Sequence, residues 1–303
     1  MKPVIIFFMS VSLSLRTQVV FKSIMQEEHE KYSKYTSTEE RFWDSIRGLE
    51  KNSVNFFNIN TSHETNAACN LTHRVFGWHP YWAGSAYQNY QWAYLSDLCY
   101  FNYEINPSTG QNSNASFAWT TASVVTVAKN QGKKIHICAT LFSNHSTFWN
   151  STLAQNTFIN NIINLLNTRG GHGVNIDFEG MGSSDKTPFV NFITNLRNAL
   201  TNANPNYELS ICLYAVDWSG TFNIPALNSL VNYFTIMGYD YYWSGSTQAG
   251  PTDPLYNFVT SYNYTLSKTI TYYIKQGASP QKLLLGLPYY GREWFCLAYS
   301  YNW

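Results

Sequence analysis

Between residues 74 and 294 two hydrophobic periodicities take turns along the chain. Short runs rich in Val, Ile, Phe and Tyr, with alternating character, are followed by longer stretches whose apolar residues recur at helical spacing. Seven runs read as strands: 75–82, 98–104, 134–140, 171–179, 208–216, 234–241 and 282–292. Helical spacing fits 120–131, 155–168, 185–202 and 261–276, with Gly277 as a helix stop. Regular alternation of the two predicts βα units around a parallel sheet. Ahead of them, residues 26–51 are charged and polar with a helix-like stretch at 37–43, and Asn, Ser and Thr dominate 52–72 as a linker.

The strand Gly171-His-Gly-Val-Asn-Ile-Asp-Phe-Glu179 breaks the apolar rule on one face. Side chains at i, i+2 and i+4 point the same way, about 6.6 Å apart along the strand, so Asn175, Asp177 and Glu179 share a side while Val174, Ile176 and Phe178 face packing. A carboxyl that burial and a neighbouring charge keep protonated can protonate a leaving oxygen, as sugar chemistry requires. Glu179, last on the strand, is the natural acid. Asp177 would approach a sugar from the same side as Glu179, so it is badly placed as the opposing nucleophile, and that group would then come from the substrate. A bare Asp-x-Glu also fits a wet strand face or a cation site, and by itself favours those readings.

Composition narrows the classes. Of 303 residues, 12% are charged, with a net charge of +1, and no basic stripe suggests nucleic acid. Aromatics reach 17%, mostly as expected core, with the Trp and Tyr just after strands as candidate platforms for a ligand. Met1-Lys2 precedes an apolar run over 4–15, too short to span a membrane and the right length for a signal-peptide core, which predicts secretion or a cell-surface or periplasmic place. Arg16-Thr17-Gln18 lacks a small-x-small cleavage pattern, which leaves an uncleaved anchor open. The five cysteines, at 69, 99, 138, 212 and 296, show no metal-ligand spacing, and Cys99, Cys138 and Cys212 fall inside strands as small buried groups. Neither a metal nor a cofactor is expected.

The strand ending at Glu179 resembles the Asp-x-x-Asp-x-Asp-x-Glu strand of the family 18 glycoside hydrolases, the chitinase family, with His172, Asn175, Asp177 and Glu179 at its four places. Four more segments resemble strands of that family in the expected order: Val75-Phe-Gly-Trp-His-Pro-Tyr-Trp82, Lys134-Ile-His-Ile-Cys-Ala-Thr140, Phe234-Thr-Ile-Met-Gly-Tyr-Asp-Tyr241 and Lys282-Leu-Leu-Leu-Gly-Leu-Pro-Tyr-Tyr-Gly-Arg292. The resemblance, covering 74–294, implies a TIM (β/α)8 barrel. The chain ends 15 residues after Pro288, so about seven strands are expected and the barrel reads as incomplete at its C-terminal end. The expected organisation is a signal or anchor over 1–18, a helical leader and linker over 19–73, and the barrel over 74–303.

The resemblance also implies roles. Glu179 would donate a proton to the glycosidic oxygen while the substrate's own N-acetyl oxygen attacks the anomeric carbon, with retention of configuration. Asp177 would orient the acetamido group and raise the pKa of Glu179. Tyr239 would hydrogen-bond the acetamido oxygen, with Asp240 supporting it and Met237 nearby. Trp82, Trp218, Tyr241, Trp243 and Tyr290 are candidate sugar platforms, and Arg292 a partner for a hydroxyl. Two departures stand out: Asn175 replaces a carboxylate that shares a proton with Asp177, which predicts that the amide bonds Asp177 and alters pH dependence, and His172 replaces an outer Asp. The implied partner is an N-acetylglucosamine-containing polysaccharide, chitin foremost, with peptidoglycan or an N-glycan core as alternatives. A sugar-binding protein without turnover is the other class, disfavoured because Glu179, Asp177 and Tyr239 are all kept.

Overall fold

A computed structural model describes residues 22–51, 71–257 and 262–294. The expected signal segment, most of the linker, Cys69, Cys296 and the tail to Trp303 lie outside them. In chain order the elements are α1 (Ile24–Tyr32), α2 (Glu40–Lys51), β1 (Phe76–Pro80), β2 (Asp97–Glu104), α3 (Ser123–Asn130), β3 (Lys134–Leu141), α4 (His145–Trp149), α5 (Thr152–Arg169), β4 (Gly173–Phe178), α6 (Lys186–Ala203), β5 (Glu208–Leu213), α7 (Ile224–Asn228), β6 (Tyr233–Met237), α8 (Leu266–Lys275) and β7 (Leu283–Gly286). The seven strands form one parallel sheet in sequence order, the arrangement of a TIM barrel short of one strand among the described residues. No described helix is long and apolar enough to cross a membrane.

Five of the seven strands are shorter than the periodicity predicts, while β2 and β3 each run one residue longer. The first ends at Pro80 rather than at 82, where the chain turns into a 3-10 segment, Tyr81–Asn89, that carries Trp82. The fifth, sixth and seventh stop at Leu213, Met237 and Gly286. An alternating pattern continues past the last ladder hydrogen bond wherever the following loop is also part-buried, so sequence overshoots these ends. At the β6 end, Gly238 is required because a Cβ there would lie 2.6 Å from the Gly286 carbonyl oxygen.

Alternation within β4 sorts its side chains as expected. Phe178 stacks on Phe192 of α6, with ring centroids 5.6 Å apart, and meets Phe148 and Trp149 of α4 edge-on or tilted. Val174, Ile176 and Phe178 are thus outer-layer core, and full burial of each contributes about 1.5–3 kcal/mol. On the other face, Asn175 points into the barrel interior. Its Oδ1 accepts from Trp78 Nε1 (3.2 Å) of β1 and from the thiols of Cys138 (3.6 Å) and Cys212 (3.5 Å), and its Nδ2 donates to Ser210 (2.9 Å) and Thr235 (3.3 Å). One amide therefore ties β4 to four other strands across the interior.

Candidate active site

The strand face that holds Asn175 at its base ends in two carboxyls. Asp177 is buried at the C-terminal end of β4, and Glu179 follows immediately, buried, before Gly180 at φ 75° turns the chain away. Left-handed φ suits glycine, so the chain turns directly after the acid. No Lys or Arg pairs with either carboxyl among the described residues. Burial pushes Asp177 up to about 6, offset in part by the Cys212 thiol. Burial first, and then the charge of Asp177, hold Glu179 well above the usual carboxylate range. Among the described residues Asp177 Oδ1 has no hydrogen-bond partner, an unmet acceptor deep beside the acid.

Around them lies a cavity of about 380 Å³, lined among others by Glu179, Met181, Tyr214, Trp218, Tyr239 and Trp243. Tyr239 follows β6, and burial together with the Asp177 charge raises its pKa well above ordinary, so its hydroxyl stays a donor. Asp240 has left-handed φ, 58°, a conformation that Asp tolerates better than most residues. Its Oδ1 accepts from Tyr290 OH (2.9 Å), Arg292 Nε (3.1 Å) and Arg292 Nη2 (2.7 Å). Trp218 stands 66% exposed on the rim with its ring edge-on to Tyr264 at 4.5 Å.

Residues 52–301 match the family Glycosyl hydrolases family 18. The chain belongs to that family. Among curated relatives, YdhD of Bacillus subtilis, which carries the name of a sporulation-specific glycosylase, is 33% identical over 150 residues, 48% of this chain and 33% of that protein. Among solved structures, the group IV chitinase of Ostrinia furnacalis superposes with a TM-score of 0.63 at 17% identity, covering 72% of this chain and 66% of that one. The second catalytic domain of the group II chitinase of the same species, solved in complex with a penta-N-acetylchitooctaose, gives 0.62 at 19%, covering 72% and 64%. This chain spans about a third of the length of YdhD, and the two structural likenesses concern the fold.

Within the family 18 frame, Glu179, Tyr239, Met237, Asp240, Trp218, Tyr241 and Trp243 all border one cavity. Asp177 lies beneath Glu179 on the same strand face. Four expectations shift. Asn175 does not bond Asp177, because both ends of its amide are taken by the interior network. Tyr241 is buried with its hydroxyl on Thr269 (2.5 Å), so it contributes wall rather than a free platform. Tyr290 and Arg292 act on Asp240. Trp82 is sealed under Tyr32 of α1, stacked at 5.4 Å with 19° between the rings.

Sequence reasoning missed three groups. Trp78 lies in the segment matched to the first strand, yet nothing in its spacing points to Asn175. Tyr214 lines the cavity, its hydroxyl accepting from Met181 N (2.9 Å) and donating to the Phe178 carbonyl (3.2 Å), and no motif marks it. Ser23 of the leader lies 156 residues from Glu179 and donates to its Oε1 at 2.7 Å.

A second ionisable cluster sits where the strands begin. Arg74 contacts Asp97 (3.1 Å) and Glu208 (2.6 Å), Lys134 bonds Glu208, and His136 Nε2 lies 2.9 Å from Asp97. Donor atoms of Asp97, His136 and Glu208 lie within 4.8 Å of one another, a spacing a metal could use, but Arg74 and Lys134 already meet the two carboxylate charges. Burial alone would raise Glu208, yet the bonds from Arg74 and Lys134 outweigh it and bring the carboxyl down to about 2.

Proposed function

We propose that the chain is a glycosidase that cleaves β-1,4 bonds next to N-acetylglucosamine in a chitin-like polysaccharide, with retention of configuration. Glu179 gives its proton to the glycosidic oxygen as the bond to the anomeric carbon breaks. The acetamido oxygen of the same sugar bonds that carbon, forming an oxazolinium ion. Asp177 accepts the acetamido N–H and stabilises the positive charge that grows there, while the Tyr239 hydroxyl donates to the acetamido oxygen. Water then attacks the anomeric carbon as its bond to the acetamido oxygen breaks and the acetamido group re-forms, the water's proton passes to the Glu179 carboxylate, and the acid is restored.

The observation that carries this reading is the buried carboxyl pair without a cation among the described residues: an acid held protonated above a carboxylate whose Oδ1 lacks a partner there. An acetamido N–H is a ligand group that would satisfy that oxygen. The group II chitinase domain crystallised with an N-acetylated chitooligosaccharide supports the same sugar class. The apolar run over 4–15 supports action outside the cytoplasm.

The test is release of a chromophore from a chitobiose glycoside, with the first-formed anomer read by NMR. The reading expects the β anomer first and release abolished in Glu179→Gln. An unchanged rate in Glu179→Gln, or the α anomer first, overturns it.

A further inference from the structure

The leader is docked into the cleft that the proposed function needs. Ser23, the N-cap of α1, accepts from Gln26 N (3.1 Å) and donates to Glu179 Oε1. The next residue, Ile24, donates its backbone N–H to Asp240 Oδ2 (3.1 Å). One turn on, Glu27 reaches Ser244 Oγ (2.7 Å) and Arg292 Nη1 (3.4 Å). Farther along, His29 Nε2 meets Glu104 Oε2 (3.0 Å) inside a ring of Tyr81, Trp82, Phe101 and Phe142, and Tyr32 closes over Trp82. α2 then anchors the leader to the segment after β1: Arg47 donates to the Ala83 carbonyl (2.6 Å), and Asp44 accepts from Ser85 N (2.9 Å).

We propose that α1 is an intramolecular inhibitor: Ser23 and the Ile24 N–H engage Glu179 and Asp240 in the cleft, Tyr32 covers the Trp82 platform, and sugar binds when α1 leaves. The proposal rests on the glycosidase reading. Its contacts are those of a ligand. A hydroxyl on the acid, an N–H on a carboxylate and a ring on an indole face are what a sugar with an acetamido group offers.

The interaction is also built to be reversible. Of α1 only His29 and Tyr32 are fully buried, with Met25 partly buried against the same core, while the rest of the helix stays part-buried or exposed. A nine-residue helix is marginal on its own, so α1 loses its shape once it leaves the cleft. Its docked state therefore competes with substrate as a population: if nine chains in ten are closed, apparent affinity falls about tenfold.

Two variants of the full chain test this. Ile24→Pro removes the N–H given to Asp240 while proline at the first helical position leaves α1 able to form. His29→Glu faces Glu104 with a like charge. For each, hydrogen exchange of the 24–32 amides reports whether α1 has left, and titration with chitotetraose and initial hydrolysis rates report the cleft. The expected result is faster exchange at 24–32 with roughly tenfold tighter binding and faster hydrolysis in both variants. If α1 leaves and the native chain already binds and cleaves equally well, the proposal is overturned while the glycosidase reading stands. If α1 leaves and the opened variants neither bind nor cleave, the glycosidase reading fails and takes the proposal with it. Exchange at 24–32 already unprotected in the native chain also overturns the proposal.

Discussion

The two ends of this barrel bury carboxylates in opposite ways. At the start of the strands, Asp97 and Glu208 are matched by Arg74 and Lys134, and Glu208 stays ionised down to about pH 2. At the far end, Asp177 and Glu179 are as buried as Asp97 and more so than Glu208, no Lys or Arg pairs with them among the described residues, and both are pushed up. The same residue types serve as structural ion pairs at one end and as a proton store at the other. What separates them is whether a cation comes in with the carboxylate, because burial alone always favours the neutral acid.

The comparison breaks most sharply at Glu179. Glu179→Gln is expected to lower hydrolysis by about 10²–10⁴-fold or more, since it removes the proton itself, with the rate assay as the check. At the other end, Glu208→Ala leaves Arg74 without its main partner and should cost about 3 kcal/mol of stability in urea unfolding, with any loss of activity tracking unfolding. Tyr239→Phe keeps the cavity's shape and removes one donor aimed at developing charge, for an expected loss of about 10–100-fold in kcat with urea stability unchanged.

The smallest effect sharpens the contrast through pH. Folded Asp177 binds its proton up to about pH 6 and unfolded Asp only to about 3.8, so between these values the folded state holds more protons and stability falls as pH rises. Glu208 runs the other way: its folded value of about 2 lies below the ordinary 4.5, so it adds stability as pH rises through that window. These two groups alone place a stability maximum near pH 4–5. Asp177→Asn should flatten the fall above it and Glu208→Gln the rise below it, each by about 1–3 kcal/mol across its window in denaturant titrations.

How much of this was legible in sequence follows the range of the interactions. The acid, its neighbour and the strand that carries them were readable because a period of two fixes which side chains share a face, and Tyr239 and Asp240 because they belong to a local motif at a strand end. The role of Asn175 was misjudged. Its partners come from β1, β3, β5 and β6, and nothing in the spacing of β4 announces that an amide will be used to lace the barrel rather than to hold Asp177. The ion cluster of Arg74, Asp97, Lys134, His136 and Glu208 is spread over 135 positions and was likewise invisible as a group. The leader is expected only as a helical segment and linker, because its composition is that of an exposed helix. Its contact with Glu179 is a property of the folded cleft, not of the segment.

The most direct test is the protonation state of Glu179. A carboxyl-¹³C NMR titration of the Glu-labelled chain, with the signal assigned by its loss in Glu179→Gln, would follow that single group. A carboxyl still protonated well above the pH at which ordinary Glu ionises, and moved downward in Asp177→Asn, is the predicted result. A signal that titrates near 4.5 in the native chain and ignores Asp177→Asn would contradict the claim that burial without a cation stores the catalytic proton.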